Sequence, residues 1–350
     1  MNITCDRAAL ELPATPRDLR DVIPAGKGRV DADEYLRRVR RGQTCGIPSL
    51  LKLLNIDHSR DWHRPATVCI VGGGPSLIDE VGALRRLIKR GAKVMAVNKS
   101  HDWLLKRGLR CDYAALLDPK DWVADYIDLT LAASPATHRR CGKLWAAPKY
   151  LIASQCHDDV ISKFKTRADA YLWHAAAGLG ESDILKTEFP REPWVNISGA
   201  SVIGLRAVGL AHGLGFRSLH MFGIDGSMKP PREAGGRPQL YAYDKPHIDQ
   251  TWKAFEVKLT SGWTRAFMAN HHMARAVYEF EDSMREWDTQ IKNGRMEPFK
   301  LAVHGNPEYS AIAMVAAGMG VHTDVGENEK YGRPPASVFT RNCDLGAEAG

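Results

Sequence analysis

From residue 67 onward, short apolar runs alternate with segments in which apolar residues recur at helical spacing. The run Thr67–Val71 is apolar and rich in β-branched residues, which predicts a buried strand. Residues 76–91 carry apolar side chains about one helical turn apart and end at a glycine, which predicts a helix. Because the alternation continues, we expect a parallel sheet joined by right-handed crossovers. Further predicted strands are residues 92–97, 112–118, 143–148, 150–154, 171–176, 216–223 and 298–305.

Further helices are predicted between and after these strands. Ser100 stands at the start of one of them and is a candidate N-cap. Residues 228–246 are rich in Pro, Gly and charged side chains, and we expect them to form a long loop that covers an active site. The remaining predicted helices are residues 100–108, 198–215, 248–260, 265–292 and 310–318.

The pattern divides the chain into three parts. Residues 1–64 are rich in Pro, Asp and Arg with only short apolar stretches, and we expect an N-terminal appendage. Residues 65–323 carry the alternation and predict a Rossmann-like α/β domain, a mostly parallel sheet with flanking helices. Residues 324–350 lack such a pattern, and we expect a poorly ordered tail. The oligomeric state is left open, a homo-oligomer included.

The composition is that of an ordinary globular protein. The 350 residues are 44% hydrophobic and 25% charged, which suffices for one large α/β domain with additions. We find no run of about 18 apolar residues and no apolar signal segment at the start, so we expect a cytoplasmic protein without a membrane span. Seven widely spaced cysteines form no CxxC pair, which argues against a disulfide framework or a zinc site.

The net charge of +7 favours anionic partners such as phosphates, nucleotides or nucleic acid. The dense basic run Arg37–Arg41 has two interpretations. It is either a solvated helix face or a surface that contacts nucleic acid or another polyanion.

A glycine-rich loop lies between the first predicted strand and its helix. It comprises Gly72, Gly73, Gly74, Pro75 and Ser76. Glycines let the backbone turn tightly and approach a ligand, and the N-terminus of the next helix presents free N–H groups to an anion. We therefore expect the loop to bind the phosphate or ribose of a nucleotide, with Ser76 capping the helix or donating its hydroxyl.

Two common nucleotide motifs do not fit this loop. A dinucleotide fingerprint requires Gly or Ala where Leu77 stands, and an acidic residue near the end of the second strand, where Asn98 stands. A Walker loop requires a following Gly-Lys-Ser/Thr, which this chain lacks. The loop is therefore not expected to bind NAD, FAD or a triphosphate in those established ways.

Polar residues stand at the ends of three predicted strands. Asn98, Asp118 and Asp225 each terminate an apolar run. In an open parallel sheet the carboxyl ends of the strands line one crevice, where ligands bind. The two aspartates are candidates to hold Mg²⁺ against phosphates or to bind ribose hydroxyls, although either one could also be a turn residue.

Two further features carry candidate chemistry. The segment Ser198–Ser201 precedes a predicted helix and is either its N-cap or a second anion site in which Gly199 and Ser201 contact the ligand. His247 follows the long loop and His304 ends the last strand, and a histidine near a bound donor can act as general base on an acceptor hydroxyl.

Taken together, the motifs resemble those of the MptE-like family, over roughly residues 66–318. This family includes archaeal 6-hydroxymethylpterin diphosphokinases, flagellin-modifying motility accessory factors and many phage and bacterial relatives, and its fold is similar to that of bacterial sialyltransferases. The chain departs from the family at Gly73, where Asn is commoner. The motifs in order are Gly72–Leu77, Asn98, Leu109–Tyr113 with Asp118, Ser198–Val202, Ala211–Gly215, Phe222–Asp225, Tyr241–Tyr243 and Val303–Gly305.

The resemblance implies a nucleotide-dependent transferase of one of two kinds. Diphosphokinase members move a pyrophosphoryl group from ATP to a hydroxymethyl pterin with Mg²⁺, and Asp118 and Asp225 would then hold the metal. Sialyltransferase-like members move a sugar from a CMP donor to an acceptor hydroxyl, with a histidine base placed much as His247 is. No DxD-type pair stands at the predicted strand ends, which slightly favours glycosyl transfer.

A third interpretation is a different class of protein. The chain could be a non-catalytic virion-associated or nucleic-acid-binding protein that kept the fold, with the basic run as its contact surface. A phage-encoded member would act in the host cytoplasm. The acceptor is left open by the sequence: a pterin, a sugar, a protein hydroxyl and a hydroxymethylated base are all compatible with it.

Overall fold

The structure is a computed structural model that describes residues 31–57, 66–141, 146–231, 238–243, 253–259 and 262–321. Its centre is a sheet of eight strands that all run parallel, which confirms the predicted α/β class. Two further strands form an antiparallel hairpin. In chain order the strands are β1 (Thr67–Val71), β2 (Lys93–Val97), β3 (Tyr113–Leu116), β4 (Lys149–Ala153), β5 (Ala170–Ala175), β6 (Asn196–Ile197), β7 (Ser218–Phe222), β8 (Lys253–Lys258), β9 (Thr264–Ala269) and β10 (Lys300–His304).

The order of strands in the large sheet fixes where a ligand can bind. It is β10-β7-β1-β2-β3-β4-β5-β6, so the chain builds outward from β1 in one direction and later returns to its other side. Val71 at the end of β1 is in register with Ala96 of β2 and with Phe222 of β7. The boundary between β1 and β7 is therefore the topological switch point, where open α/β sheets bind ligands beyond the carboxyl ends of their strands.

Helices connect the strands and cover the sheet. Helix α10 crosses β1, β2, β3 and β6, and its many small residues let it lie close to the sheet. The helices are α1 (Ala32–Thr44), α2 (Leu51–Asp57), α3 (Ser76–Asp79), α4 (Val81–Lys89), α5 (Ser100–Lys106), α6 (Leu129–Ala133), α7 (Pro135–Cys141), α8 (Asp158–Phe164), α9 (Glu181–Glu188), α10 (Ile203–Gly213), α11 (His271–Lys292) and α12 (Ala311–Gly318), with a 3₁₀ turn at Asp121–Tyr126. None in the described part of the chain is long and apolar enough to cross a membrane.

The predicted N-cap role of Ser100 is wrong. Ser100 is the first residue of α5, and Lys99 stands at the cap position. The Ser100 hydroxyl donates to the Val71 carbonyl at 2.6 Å and accepts the Val97 N–H at 3.0 Å. Its side chain thus ties the end of β2 to the end of β1, beside the glycine loop.

The helix predicted over residues 248–260 is also wrong, because residues 253–258 form strand β8. Phe255 and Val257 are buried whereas Glu256 and Lys258 are not, an alternation with the period of a strand. Helix α11 accordingly begins at His271, later than predicted, and Asn270 caps it by accepting the Met273 N–H at 2.8 Å. The predicted strand over 143–148 falls partly outside the described residues, and 146–148 are irregular.

The basic run on α1 binds the chain itself. Arg38 is buried and donates to the carbonyls of Pro119 and Gln155 at 2.9 Å each. Arg40 pairs with Glu188 at 2.8 Å, and Arg41 donates to the Cys156 carbonyl at 2.8 Å and pairs with Asp158. The predicted solvated face describes Arg37 and Arg40, whose side chains are about half exposed, but not the largely buried Arg38 and Arg41.

The segment after α1 also belongs to the sheet. The Leu50 N–H donates to the Leu172 carbonyl at 2.7 Å, and the Leu172 N–H donates to the Pro48 carbonyl at 2.8 Å. Residues 31–57 of the predicted appendage therefore pack on β5 and its neighbours. The remainder of residues 1–64 and the predicted tail at 324–350 lie outside the described residues.

Candidate functional site

The glycine loop after β1 is bonded directly to the end of β7. The Gly72 N–H donates to the Phe222 carbonyl at 2.8 Å, and the Gly74 N–H donates to the Gly223 carbonyl at 2.7 Å. The loop therefore continues the β1–β7 pairing past the last residues of both strands. This places it at the switch point, where the sequence predicts a ligand.

The packing around these bonds explains why the loop contains glycines. A Cβ on Gly72 would overlap the Gly223 carbonyl, and one on Gly223 would lie 2.8 Å from the Gly72 carbonyl. Gly223 also has φ +61°, a conformation that other residues adopt at a cost. A Cβ on Gly74 would overlap the Asp225 carboxylate. These three glycines are thus required by close contact within the protein.

Asp225 lies at the start of the helix after the glycine loop, where the sequence predicts a phosphate. Its Oδ2 accepts the Ser76 N–H at 3.0 Å, so a carboxylate from β7 caps the helix that begins after Pro75. Burial raises the pKa of Asp225, and hydrogen bonds from Ser76 and Ser310 partly oppose that shift. Oδ1 has no hydrogen-bond partner among the described residues. The expectation that this helix offers free N–H groups to an anion is therefore wrong for Ser76.

The segment Tyr241–Tyr243 covers the exposed edge of the loop at Gly73. The Ala242 N–H donates to the Gly73 carbonyl at 2.9 Å, and the Trp103 indole N–H donates to the Ala242 carbonyl at 3.0 Å. A Cβ on Gly73 would overlap the Tyr243 hydroxyl. Tyr243 stacks in parallel on Tyr241, with ring centroids 5.3 Å apart. Part of the predicted covering loop thus rests on the glycine loop.

Asn98 lies beside the loop at the end of β2. Val71 and Ala96 are the last paired residues of β1 and β2, so Asn98 and the glycine loop follow neighbouring strands at the same edge of the sheet. Its φ of +49° is left-handed, which Asn tolerates better than most residues. The amide Oδ1 is buried and has no hydrogen-bond partner in the described part of the chain. A buried, unsatisfied acceptor in an uncommon backbone conformation indicates a functional position.

The two candidate metal-binding aspartates follow strands that are not neighbours in the sheet. Asp118 follows β3 and Asp225 follows β7, and β1 and β2 separate these strands. Three strand spacings correspond to about 14 Å. Asp118 also accepts the Lys120 N–H at 3.1 Å, so it orders its own turn. No cluster of three or more His, Cys, Asp or Glu side chains that could hold a metal occurs among the described residues.

The segment Ser198–Ser201 is not the cap of α10, which has Val202 at its cap position. Ser201 instead donates its N–H and hydroxyl to Glu279 of α11 at 2.9 and 2.7 Å. The Gly199 carbonyl accepts a hydrogen bond from the buried Arg206 at 3.1 Å. Both residues therefore bind protein groups here, and contact with a ligand stays a prediction.

His304 packs within the sheet edge formed by β7 and β10. Its ring stacks on Phe222 with centroids 4.0 Å apart, and its Nε2 lies 2.9 Å from the Nδ1 of His220. Burial lowers the pKa of His220. These contacts give His304 a packing role, whereas His247 lies outside the described residues and stays a prediction.

Sequence reasoning missed two residues of this site, Trp103 and Lys99. It also missed that Tyr243 packs against Gly73. The Lys99 Nζ lies 5.6 Å from the Tyr243 ring centroid and 6.0 Å from that of Tyr126. A lysine directly after a strand-end asparagine was a visible signal for a charged group at the crevice. The docking of a loop tyrosine onto Gly73 left no comparable signal, because the two are distant in sequence.

Comparisons with known proteins give a matching family and a similar solved structure. The family described as 6-hydroxymethylpterin diphosphokinase MptE-like matches residues 46–230, more than half of the chain. Among solved structures, the chain is similar to a MAf glycosyltransferase from Magnetospirillum magneticum AMB-1, at 16% sequence identity and a TM-score of 0.41. That match covers 73% of this chain and 35% of the other, so the chain spans about a third of that protein's length. No curated protein matches the chain.

Proposed function

Because the chain belongs to the MptE-like family, we propose that it is a nucleotide-dependent transferase that passes a glycosyl group from a nucleotide-sugar donor to an acceptor hydroxyl. Family membership supports a transferase in general. The nucleotide and the transferred group are our proposal, and the geometry at the switch point supports them.

The observation that carries the proposal is the state of Asn98. Its buried carbonyl oxygen lacks a partner among the described residues, yet the left-handed backbone holds it beside the glycine loop. An amide supplies both a donor and an acceptor, the combination that ribose hydroxyls and base edges require. In this proposal Asn98 binds the nucleoside, Tyr243 packs on Gly73 beside it, and Asp225 holds the loop in place from behind.

The separation of the two aspartates favours glycosyl over pyrophosphoryl transfer. Under the alternative, Asp118 and Asp225 together would bind Mg²⁺, whose ligand distances are about 2.1 Å. The strands before these residues end about 14 Å apart, which disfavours one ion that bridges both carboxylates. Mg²⁺ bound by nucleotide phosphates and one aspartate would still suit a diphosphokinase, so that alternative enters the test.

The non-catalytic, nucleic-acid-binding alternative loses its main support. That interpretation relied on the basic run of α1, and Arg38, Arg40 and Arg41 bind groups of the chain itself. Their positive charge is therefore largely compensated within the fold.

A thermal-shift panel tests the proposed function. CMP, UDP, GTP and ATP are each added with and without Mg²⁺, and a ligand at 100 times its Kd adds about 2.7 kcal/mol of stability. We expect one nucleotide to raise the melting temperature without Mg²⁺, and Asn98→Ala to lose this shift. Asn293→Ala, at the exposed end of α11, is the control and should keep it.

Two other outcomes of the panel are informative. A shift by ATP that requires Mg²⁺ would support the diphosphokinase, and no shift with any nucleotide would contradict nucleotide binding altogether. For the proposed general base, His247→Ala should keep the nucleotide shift and lose transfer to an acceptor hydroxyl. Unchanged transfer in that variant would remove His247 from the mechanism.

A further inference from the structure

The glycine loop does not neutralise an anion with its own groups. Of its backbone N–H donors, most bond to protein oxygens, and the nearest charged side chain is a carboxylate. Gly72 donates to Phe222, Gly74 to Gly223, Ser76 to Asp225 and Leu77 to Gly74, at 2.7–3.2 Å. A phosphate placed here would face the Asp225 side chain from across the loop, so it requires a cation from elsewhere.

The other cations near the loop already have partners. Lys229 pairs with Asp79 at 2.7 Å and lies over the Tyr309 ring, whose hydroxyl donates to the same carboxylate. Arg107 lies over the Trp103 ring on the outer side of α5. Lys229 would have to give up its ion pair to meet a ligand, and Arg107 lies over Trp103 and not over Tyr243, the ring that packs against Gly73.

Lys99 differs from these groups. Its Nζ lies between the rings of Tyr126 and Tyr243, and it forms no ion pair with a carboxylate of the described residues. Tyr243 is the same residue that would meet a side chain on Gly73. One ring therefore lies near both the Lys99 ammonium group and the glycine loop, and Lys99 directly follows Asn98 in the chain.

The two tyrosine rings hold the charge without cancelling it. A cation within about 6 Å of an aromatic centroid is attracted by the ring quadrupole. The ring carries no net negative charge, so the ammonium group stays able to attract an anion. A carboxylate partner would instead have neutralised it, as Asp79 does for Lys229.

We propose that Lys99 binds the phosphate of the nucleotide donor, with Tyr126 and Tyr243 orienting its ammonium group. This inference rests on the proposed function, since it assigns the phosphate-binding cation of that same site. Two adjacent residues then bind different parts of the ligand: Asn98 binds the nucleoside and Lys99 binds its phosphate.

The test compares ligands with and without a phosphate. Calorimetry measures the affinities of CMP, cytidine, ATP, adenosine and inorganic pyrophosphate for the full chain. Lys99→Met is expected to weaken the nucleotide that binds and pyrophosphate at least tenfold, and to leave the matching nucleoside within about twofold. Lys99→Arg keeps the charge and should restore most of the affinity.

Lys89→Met is the matched control. Lys89 is exposed at the end of α4, and its replacement removes the same formal charge from a surface far from Tyr243. Nucleotide affinity should be unchanged in this variant. A loss equal to that of Lys99→Met would show that net charge alone matters and would overturn the inference.

The remaining outcomes separate the two proposals. If a nucleotide binds and Lys99→Met and Lys99→Gln bind it as tightly as the wild type, the inference fails and the proposed function stands. If only pyrophosphate binds, and Lys99→Met abolishes this, the inference stands and the proposed function fails. If the wild type binds a nucleoside as tightly as its nucleotide, or binds neither nucleotide nor pyrophosphate, the inference fails.

Discussion

Gly74 lies so close to Asp225 that even a methyl side chain would displace the carboxylate from its hydrogen bond. The same added Cβ would lie 2.9 Å from the Gly223 carbonyl, so a small shift of the loop cannot relieve the overlap with Asp225. The loop can therefore accept a side chain at this position only by separating from β7. Loss of a cap of this kind costs about 0.5–2 kcal/mol.

We expect Gly74→Ala to lower the free energy of unfolding by about 2 kcal/mol or more, since a steric displacement adds to the lost cap. Urea unfolding measures this. Gly82→Ala is the control, because Gly82 lies within α4 and a Cβ there meets only ordinary contact at 3.6 Å. That change should raise stability by about 0.5–1 kcal/mol. Equal stabilities for wild type and Gly74→Ala would refute the close contact.

The position of the glycine loop was predicted correctly from the sequence, but the groups that its glycines contact were not. A glycine-rich turn after a buried strand predicts close approach, and close approach is what Gly72 and Gly74 show. The group that approaches is Asp225, 149 residues later. The sequence of the loop does not show whether its N–H groups donate to a carboxylate of the protein or to a ligand phosphate, because either anion can accept the same hydrogen bond.

Helix α1 is fixed to the domain by two kinds of arginine contact. Arg38 has 8% of its side chain exposed and bonds to carbonyls that would otherwise lack a partner. Arg40 has 47% exposed and pairs with Glu188, which is also exposed. The same residue type on the same helix therefore has a buried and a solvated role, two positions apart.

The two roles predict different costs of substitution. Arg38→Ala should lower the free energy of unfolding by about 1–3 kcal/mol or more, because the carbonyls of Pro119 and Gln155 lose a buried donor. Arg40→Ala should cost at most about 1 kcal/mol, as for other exposed ion pairs. Denaturant unfolding of both variants gives the comparison, and similar losses would show that α1 is not docked as described.

At the scale of elements, apolar runs identified the large sheet well and the hairpin poorly. The run Thr67–Val71 is apolar throughout because both faces of a central parallel strand are buried. In β8 and β9 one face is exposed, so the strand period appears only as an alternation around Phe255 and Phe267. That alternation is short, and neighbouring residues that favour helices obscured it.

The whole molecule contains buried histidines that make its stability depend on pH. His174 is fully buried, bonded to Ser154 at 2.8 Å and to Gln43 at 3.0 Å. Burial lowers the pKa of His174 from 6.5 to about 4. The folded state therefore binds fewer protons than the unfolded state between these values, and stability is lost as pH falls from about 6.5 to about 4.

We expect the free energy of unfolding to fall by about 3 kcal/mol across that range from His174 alone. Burial also lowers the pKa of His212 and His220, which adds loss of the same sign. Urea unfolding between pH 7 and pH 4 measures the slope. His174→Gln removes one titrating group and should reduce the slope, whereas an unchanged slope would contradict the assignment.

The strand order and the location of the site followed from the sequence to different extents. Parallel strands, and the gathering of Asn98 and Asp225 at one edge, came from the alternation of strands and helices. The separation of the strands before Asp118 and Asp225 did not, because β7 comes late in the chain yet pairs with β1 on the side opposite to β2. Pairing between distant segments has no local sequence signature.

Docking of α1 also sets an order on folding during synthesis. Tyr35 bonds to the carbonyl of Ala175, 140 residues further along the chain. At about 5–20 residues per second, the ribosome needs roughly 7–28 s to make that partner after Tyr35. For most of this interval the surface that receives Arg38 is also incomplete, because its acceptor Gln155 is made shortly before Ala175. Helix α1 is therefore made early but can complete its packing against the domain only after β5 has been made. Any pause in translation before β5 prolongs the exposure of α1.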